Sequence, residues 1–114
     1  MLELTGLNQQ KILVVGKSVF RLTPPRDGDA VTKVEYGGGY LYTDEPLDAL
    51  LQRLAADIRI IALTTRANTP VYLNAGAISR VREALPLNGP GTEVVVGGQY
   101  QHVIESVDQV SQLI

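Results

Sequence analysis

The chain has 114 residues, 45% hydrophobic and 19% charged, with 10 basic against 12 acidic side chains and a formal net charge of −2. That balance fits one compact folded body and excludes both a disordered chain and a broad nucleic-acid surface, which needs clustered Lys and Arg to displace counterions from phosphates. With no cysteine there is no disulfide framework or thiolate metal site. No apolar run reaches the roughly 18 residues of a spanning helix, and Met1-Leu2-Glu3 does not open a signal peptide. The expectation is no membrane insertion, and a cytoplasmic protein or one assembled in the cytoplasm into a virion.

Residues 2–5 and 12–15 are short β-rich runs separated by "GLNQQ", which carries hairpin-type turn residues. A third run, 19–22, follows a turn at Gly16-Lys17. "TPPRDGDA" reads as a loop, because adjacent prolines and an Asp-Gly pair break a ladder or set a turn. Residues 31–36 and 40–42 form the next hairpin around Gly37-Gly38-Gly39.

A helix begins near Asp44-Glu45-Pro46, where proline is tolerated and acidic side chains meet the positive end of the helix dipole. Leu47, Leu50, Leu51 and Leu54 then share one face. The plan repeats with strands at 58–64, 71–73, 77–84, 94–96 and 100–104 and a final helix from Ser106. Ser106 and Gln109 have capping-box spacing, and Val107, Val110 and Ile114 supply the apolar stripe. The fold class expected is α+β, mainly β, with two similar lobes, each of short antiparallel strands followed by one C-terminal helix.

The repetition is also written in residue identities. Sliding 32–54 onto 92–114 matches Thr32 with Thr92, Val34 with Val94, Gly37-Gly38 with Gly97-Gly98, Tyr40 with Tyr100, Glu45 with Glu105, Asp48 with Asp108 and Gln52 with Gln112. These are eight identities in 23 positions, where average composition gives about one or two. Upstream, an offset of 59 lays Leu4-Thr5 on Leu63-Thr64, Ile12 on Val71, Val14 on Leu73, Val19 on Ile78 and Arg21 on Arg80. The slip of one residue falls in the Pro/Gly-rich loops, where insertions cost least. Two look-alike sets of hairpins and helices are the bland alternative; a tandem duplication, with units 1–56 and 57–114 in one compact body, is the reading preferred.

"MLELTGLN", "VYLNAGAISRV" and "TEVVVGGQYQHVIESVDQVSQLI" together resemble the small flagellar swarming-motility proteins of FlbD/SwrD type. That family's pattern opens with a Leu-Thr-x-Leu-Asn strand and turn and closes with a Gly-x-x-Tyr strand, Glu-Ser and a helix. Each half covers roughly one family unit. Where the family has an Asn-Gly turn, Asn8 is followed here by Gln9 and Asn68 by Thr69. The resemblance implies a small non-enzymatic protein, without catalytic residues to carry over, that works through contacts with a larger assembly; phage virion parts can have the same look.

Candidate chemistry is sparse. His102 is the sole histidine, so no metal-ligand spacing exists around it; its repeat counterpart is Tyr42, and an ordinary strand position accounts for both. "YGGGY" and "VGGQY" match neither dinucleotide nor P-loop patterns. They read as hairpin turns needing positive φ, with a phosphate nest as the alternative. Glu45, Asp48, Glu105 and Asp108 are expected in the first turn of each helix. Arg21, Arg80 and Arg82 are candidates for an anion-binding stripe or solvated strand faces, and Ser79 has no base beside it. Tyr36, Tyr40, Tyr42 and Tyr100 cluster at the glycine turns, serving cross-strand packing or an interface core, and with His102 they are the interface candidates. No cofactor, catalytic residue or metal site is expected.

Two function classes emerge. The first is a non-enzymatic structural or assembly protein that self-associates and contacts a larger protein assembly, either a phage head or tail component or a flagellar-associated factor. Short strands leave edges that copies of the chain can cover, and three copies of a duplicated chain would present six similar units. The second is a small-ligand binder or sponge-type regulator that traps an anion between lobes through Arg80, Arg82 and the glycine turns.

Overall fold

The computed structural model describes residues 1–25 and 31–114, so Asp27-Gly28 of the expected loop lies outside the described residues. The described strands are β1 (Leu2–Thr5), β2 (Lys11–Val14), β3 (Val19–Thr23), β4 (Thr32–Tyr36), β5 (Gly39–Thr43), β6 (Ile60–Thr64), β7 (Pro70–Asn74), β8 (Ile78–Glu83), β9 (Thr92–Val96) and β10 (Gln99–Val103). Helix α1 (Leu47–Leu54) follows β5, and α2 (Val107–Leu113) follows β10. Among the described residues the chain is mainly β with antiparallel pairing throughout, and each half has five strands and a helix in the same order.

The halves also agree in detail. Each opening hairpin is closed by the same backbone bond, Gly6 N to Gln10 O at 2.7 Å and Thr65 N to Thr69 O at 2.8 Å. The turns use positive φ at Asn8, Gln9 and Asn68, which asparagine tolerates better than most residues. A 3-10 turn follows the hairpin in each half, at Gly16–Ser18 and Ala75–Ala77. A bulge then falls at the same place, between Val19 and Arg21 against β4 and between Ile78 and Arg80 against β9. Each meander turns over through two glycines, with Tyr36 opposite Gly39 and Val96 opposite Gln99. Gly97 and Gly98 both have positive φ, 55° and 78°, as a type I′ turn demands; of the matching pair Gly37 and Gly38, only Gly38 has it, at 105°.

Packing follows the alternation of side chains along the strands. The first core joins Leu2, Leu4 and Val14 of the β1–β2 hairpin to Val19, Leu22, Val34 and Leu41 of the meander, under Leu50 and Leu54 of α1. The second joins Ile61, Leu63, Val71 and Leu73 to Val94, Val96 and Val103 under Val110 of α2. The helix faces predicted at Leu50, Leu54 and Val110 are the buried ones, while Ile114 stays exposed. Ser106 and Gln109 form the expected capping box, which satisfies two of the backbone donors left open at a helix start.

What the repeat pattern did not predict is how the sheets cross between halves. β1 and β2 form a separate pair and β10-β9-β8 a three-stranded sheet, but the five-stranded sheet runs β5-β4-β3-β7-β6. It therefore draws three strands from the first half and two from the second. The junction is β3 with β7, where Arg21 lies opposite Leu73 and Leu22 opposite Tyr72.

Candidate interaction sites

The seam between the halves is built from three side chains. Phe20 sits at the bulge of β3, where the added residue breaks the in-out alternation; Val19 and Phe20 are consecutive and both buried. Val19 enters its own core and Phe20 enters that of the other half, with its ring against the Gly97 turn. Asn74 is buried and fully engaged. Its Nδ2 donates to Val19 O across the seam at 2.9 Å, and its Oδ1 accepts from Gly76 N at 2.9 Å. Arg21 pairs with Glu35 through two hydrogen bonds, and its Nη1 donates to Tyr100 O at 3.2 Å and Gln101 Oε1 at 3.0 Å. Arg21 therefore lies on the seam, away from the pair formed by Arg80 and Arg82.

Arg80 and Arg82 converge on Glu93, the residue opposite Arg82 on β9, at 3.0 and 3.1 Å. The hydrogen-bonded Arg82 guanidinium holds the Glu93 carboxyl below the ordinary 4.5, against the opposing penalty of burial and with further help from Arg80. A lowered folded-state pKa adds stability that is fully present above the unfolded value and is lost as pH falls through the folded one. Acidification from neutrality to below 4.5 should therefore destabilise the wild type more than Glu93→Gln, measured as the difference in Tm at each pH.

Glu45 and Glu105 correct the expectation for the paired carboxylates. Both precede their helices, which start at Leu47 and Val107 with Asp48 and Asp108 in the first turns. Their carboxylates reach back across the fold: Thr5 N donates to Glu45 Oε2 at 3.2 Å and Thr64 N to Glu105 Oε1 at 2.9 Å. Each therefore ties the end of the first strand to the helix entry of its half. Hydrogen bonds to a charged acceptor are worth about 1.5–3 kcal/mol, so Glu105→Ala should cost toward the lower end of that range, given its partial exposure, in chemical denaturation. Glu105 and Glu45 were visible in the sequence as a conserved repeat pair, but their partners were not.

Two clefts, one in each half, share three corresponding lining positions. The first, about 420 Å³, is lined by Leu7, Ile12, Tyr36, Tyr40, Leu41 and Tyr42 among others. The second, about 440 Å³, is lined by Arg66, Arg82, Asn88, Glu93, Tyr100 and His102, with Ala84. By the repeat offsets Leu7 corresponds to Arg66, Tyr40 to Tyr100 and Tyr42 to His102. At these shared positions the first half places a leucine and two tyrosines, and the second an arginine, a tyrosine and a histidine.

Within the first cleft the Tyr40 and Tyr42 rings meet edge to face, centroids 5.8 Å apart, and the Lys33 ammonium lies 4.7 Å from the Tyr40 ring. Tyr40 is 60% and Tyr100 67% exposed. Tyr36, Tyr40 and Tyr42 are brought together, and Tyr100 joins His102 on the far half. The His102 ring nitrogens are enclosed and have no hydrogen-bond partner among the described residues. No helix among the described residues is long and apolar enough to cross a membrane.

These features define a mainly β, α+β chain of two like halves stitched through one shared sheet. No protein-family model, curated protein sequence or solved structure matches it.

Proposed function

We propose that the protein is a non-enzymatic assembly component that associates with copies of itself and with a larger protein structure, in a phage virion or a flagellar setting. The observation that supports this reading is the open sheet: β2 and β8 each have one side without a strand partner among the described residues. Leu13 of β2 and Val15 directly after it are exposed apolar side chains at the first of these edges, and Tyr40 and Tyr42 add an exposed aromatic pair on the first half. Unpaired edges template further strand pairing, and aromatic residues are enriched in interface cores.

Light scattering after gel filtration is the test. Multimers that grow with concentration in the micromolar range are expected; a strict monomer that pulls down no partner overturns the reading. Neighbouring reading frames for portal, tail or capsid proteins favour the virion setting, and flagellar genes the other.

The charged cleft favours a second reading, a small-anion binder, because the Arg66 and Arg82 side chains line it. A screen of nucleotides and sugar phosphates for a raised melting temperature tests it, since a ligand bound only by the folded state stabilises by mass action.

A further inference from the structure

The described strands follow one unbroken order. Gly6 bridges Thr43, which joins the end of β1 to β5, and Ile104 N donates to Thr64 O at 2.9 Å, which joins the end of β10 to β6. From one end to the other the order is β2, β1, β5, β4, β3, then β7, β6, β10, β9, β8. Divided at the middle, it is one sequence of five strands written twice, because the offset of 59 or 60 turns the first five into the second five. The contact at the division, β3 with β7, joins the last strand of one half to the first strand of the other. β8 is the last strand of the second half and β2 the first strand of the first half. Among the described residues neither is paired on its outer side.

Burial within the same chain records the missing neighbour. Val19, Phe20 and Leu22 of β3 are buried and Arg21 and Thr23 half-buried; their counterparts Ile78 and Val81 are only half-buried, and Ser79, Arg80 and Arg82 are exposed. On the other strand of the pair Val71 and Asn74 are buried and Tyr72 half-buried, whereas Ile12 is half-buried and Leu13 and Val15 are 58% and 52% exposed. Hydrophobicity does not account for the second contrast, because Leu13 and Val15 are more apolar than Tyr72 and Asn74. Charge on an edge strand often blocks pairing. Yet Arg21 occupies the position of Arg80 in a strand that is paired, its charge met by Glu35 as those of Arg80 and Arg82 are met by Glu93.

We infer that β8 of one copy pairs antiparallel with β2 of a second copy, in the register of the internal junction, so that copies join head to tail. Transposed by 59, the internal pairs Arg21–Leu73 and Leu22–Tyr72 become Arg80 opposite Val14 and Val81 opposite Leu13. Arg21 donates across the internal seam to Tyr100 O; with the offset of 60 that holds downstream, the same relation brings Arg80 of one copy to the Tyr40 carbonyl of the next. Ser79 stands where Phe20 plugs the internal seam, and Val15 where Asn74 bonds it. The joint between copies therefore has no counterpart to those two locks and relies on the apolar Leu13 and Val15. The inference rests on the self-association reading and names its surface.

The absence of cysteine makes the register directly testable. Leu13→Cys combined with Val81→Cys should give disulfide-linked multimers under mild oxidation, because directly opposed strand positions lie within disulfide reach, and neither single variant should crosslink. Leu22→Cys with Tyr72→Cys, opposed within one chain, is the positive control and should close internally. Leu13→Asp, at an exposed site, should weaken self-association about tenfold or more with the melting temperature of the dilute protein unchanged. Multimers by light scattering without the Leu13–Val81 crosslink, while the control pair closes, overturn the pairing and leave self-association standing. Crosslinking by either single variant overturns the register. A monomer at every concentration overturns both.

Discussion

Phe20→Ala should lower stability by about 3–5 kcal/mol, the usual cost of truncating a buried aromatic ring, and the loss should fall on the joint between halves. Phe20 is 7% exposed, belongs by sequence to the first half, and is packed in a cluster with Ile61, Leu63, Val71 and Leu73 of the second. Removing the ring opens a void in the second core and strips the apolar contact beside a short two-pair register. Chemical denaturation should show a lowered midpoint and a broader transition, since less coupling between the halves makes unfolding less all-or-none. Ser79→Ala, the same bulge position in β8, should change stability by no more than about 0.5 kcal/mol, as exposed substitutions do. Equal effects at the two positions would remove the assignment of Phe20 to the seam.

Gly97→Ala is the second large effect, for two separable reasons. Its φ of +55° costs a residue with a Cβ about 1–2 kcal/mol. The added methyl would also run into the near end of the Phe20 ring, an overpacking that costs about 1–3 kcal/mol more. Two glycines isolate the causes. Gly98→Ala meets open space at φ +78° and should show the backbone cost alone. At Gly37 φ is not in the left-handed region and a Cβ would lie 3.8 Å from that of Ser18, so Gly37→Ala should be near neutral. Thermal melts of the three variants should rank Gly97 as the most damaging, then Gly98, then Gly37. In the double variant with Phe20→Ala, the overpacking part of the Gly97→Ala cost should disappear.

Much of the fold is legible in the sequence because its signals are local. Alternating apolar residues, the glycine pairs and the Ser106–Gln109 box each act within a few positions, and element boundaries shift by only a residue or two. The pairing of β3 with β7 was not legible, because a repeat comparison shows what the halves share and the seam is made where they differ. Phe20 against Ser79 and Asn74 against Val15 are mismatches in the alignment, and both mismatched residues turn out to bind the halves together. Glu45 and Glu105 show the converse. Their identity was plain, but proximity to a helix start suggested a local role, and their acceptor geometry toward Thr5 and Thr64 is set by a fold-back of some forty residues. The interface candidates divide in the same way: Tyr36, Tyr40 and Tyr42 share one cleft, whereas Tyr100 and His102 occupy its charged counterpart.

The short register between β3 and β7 has a geometric consequence. With only two opposed residue pairs, the ladder leaves the angle between the halves loosely specified, and Phe20, Asn74 and Arg21 fix it. In the head-to-tail series inferred above, that angle, together with the one at the joint between copies, would set the curvature of the whole. A side chain that trims or widens the seam by a few degrees inside one small chain would thus bend the path of such a series.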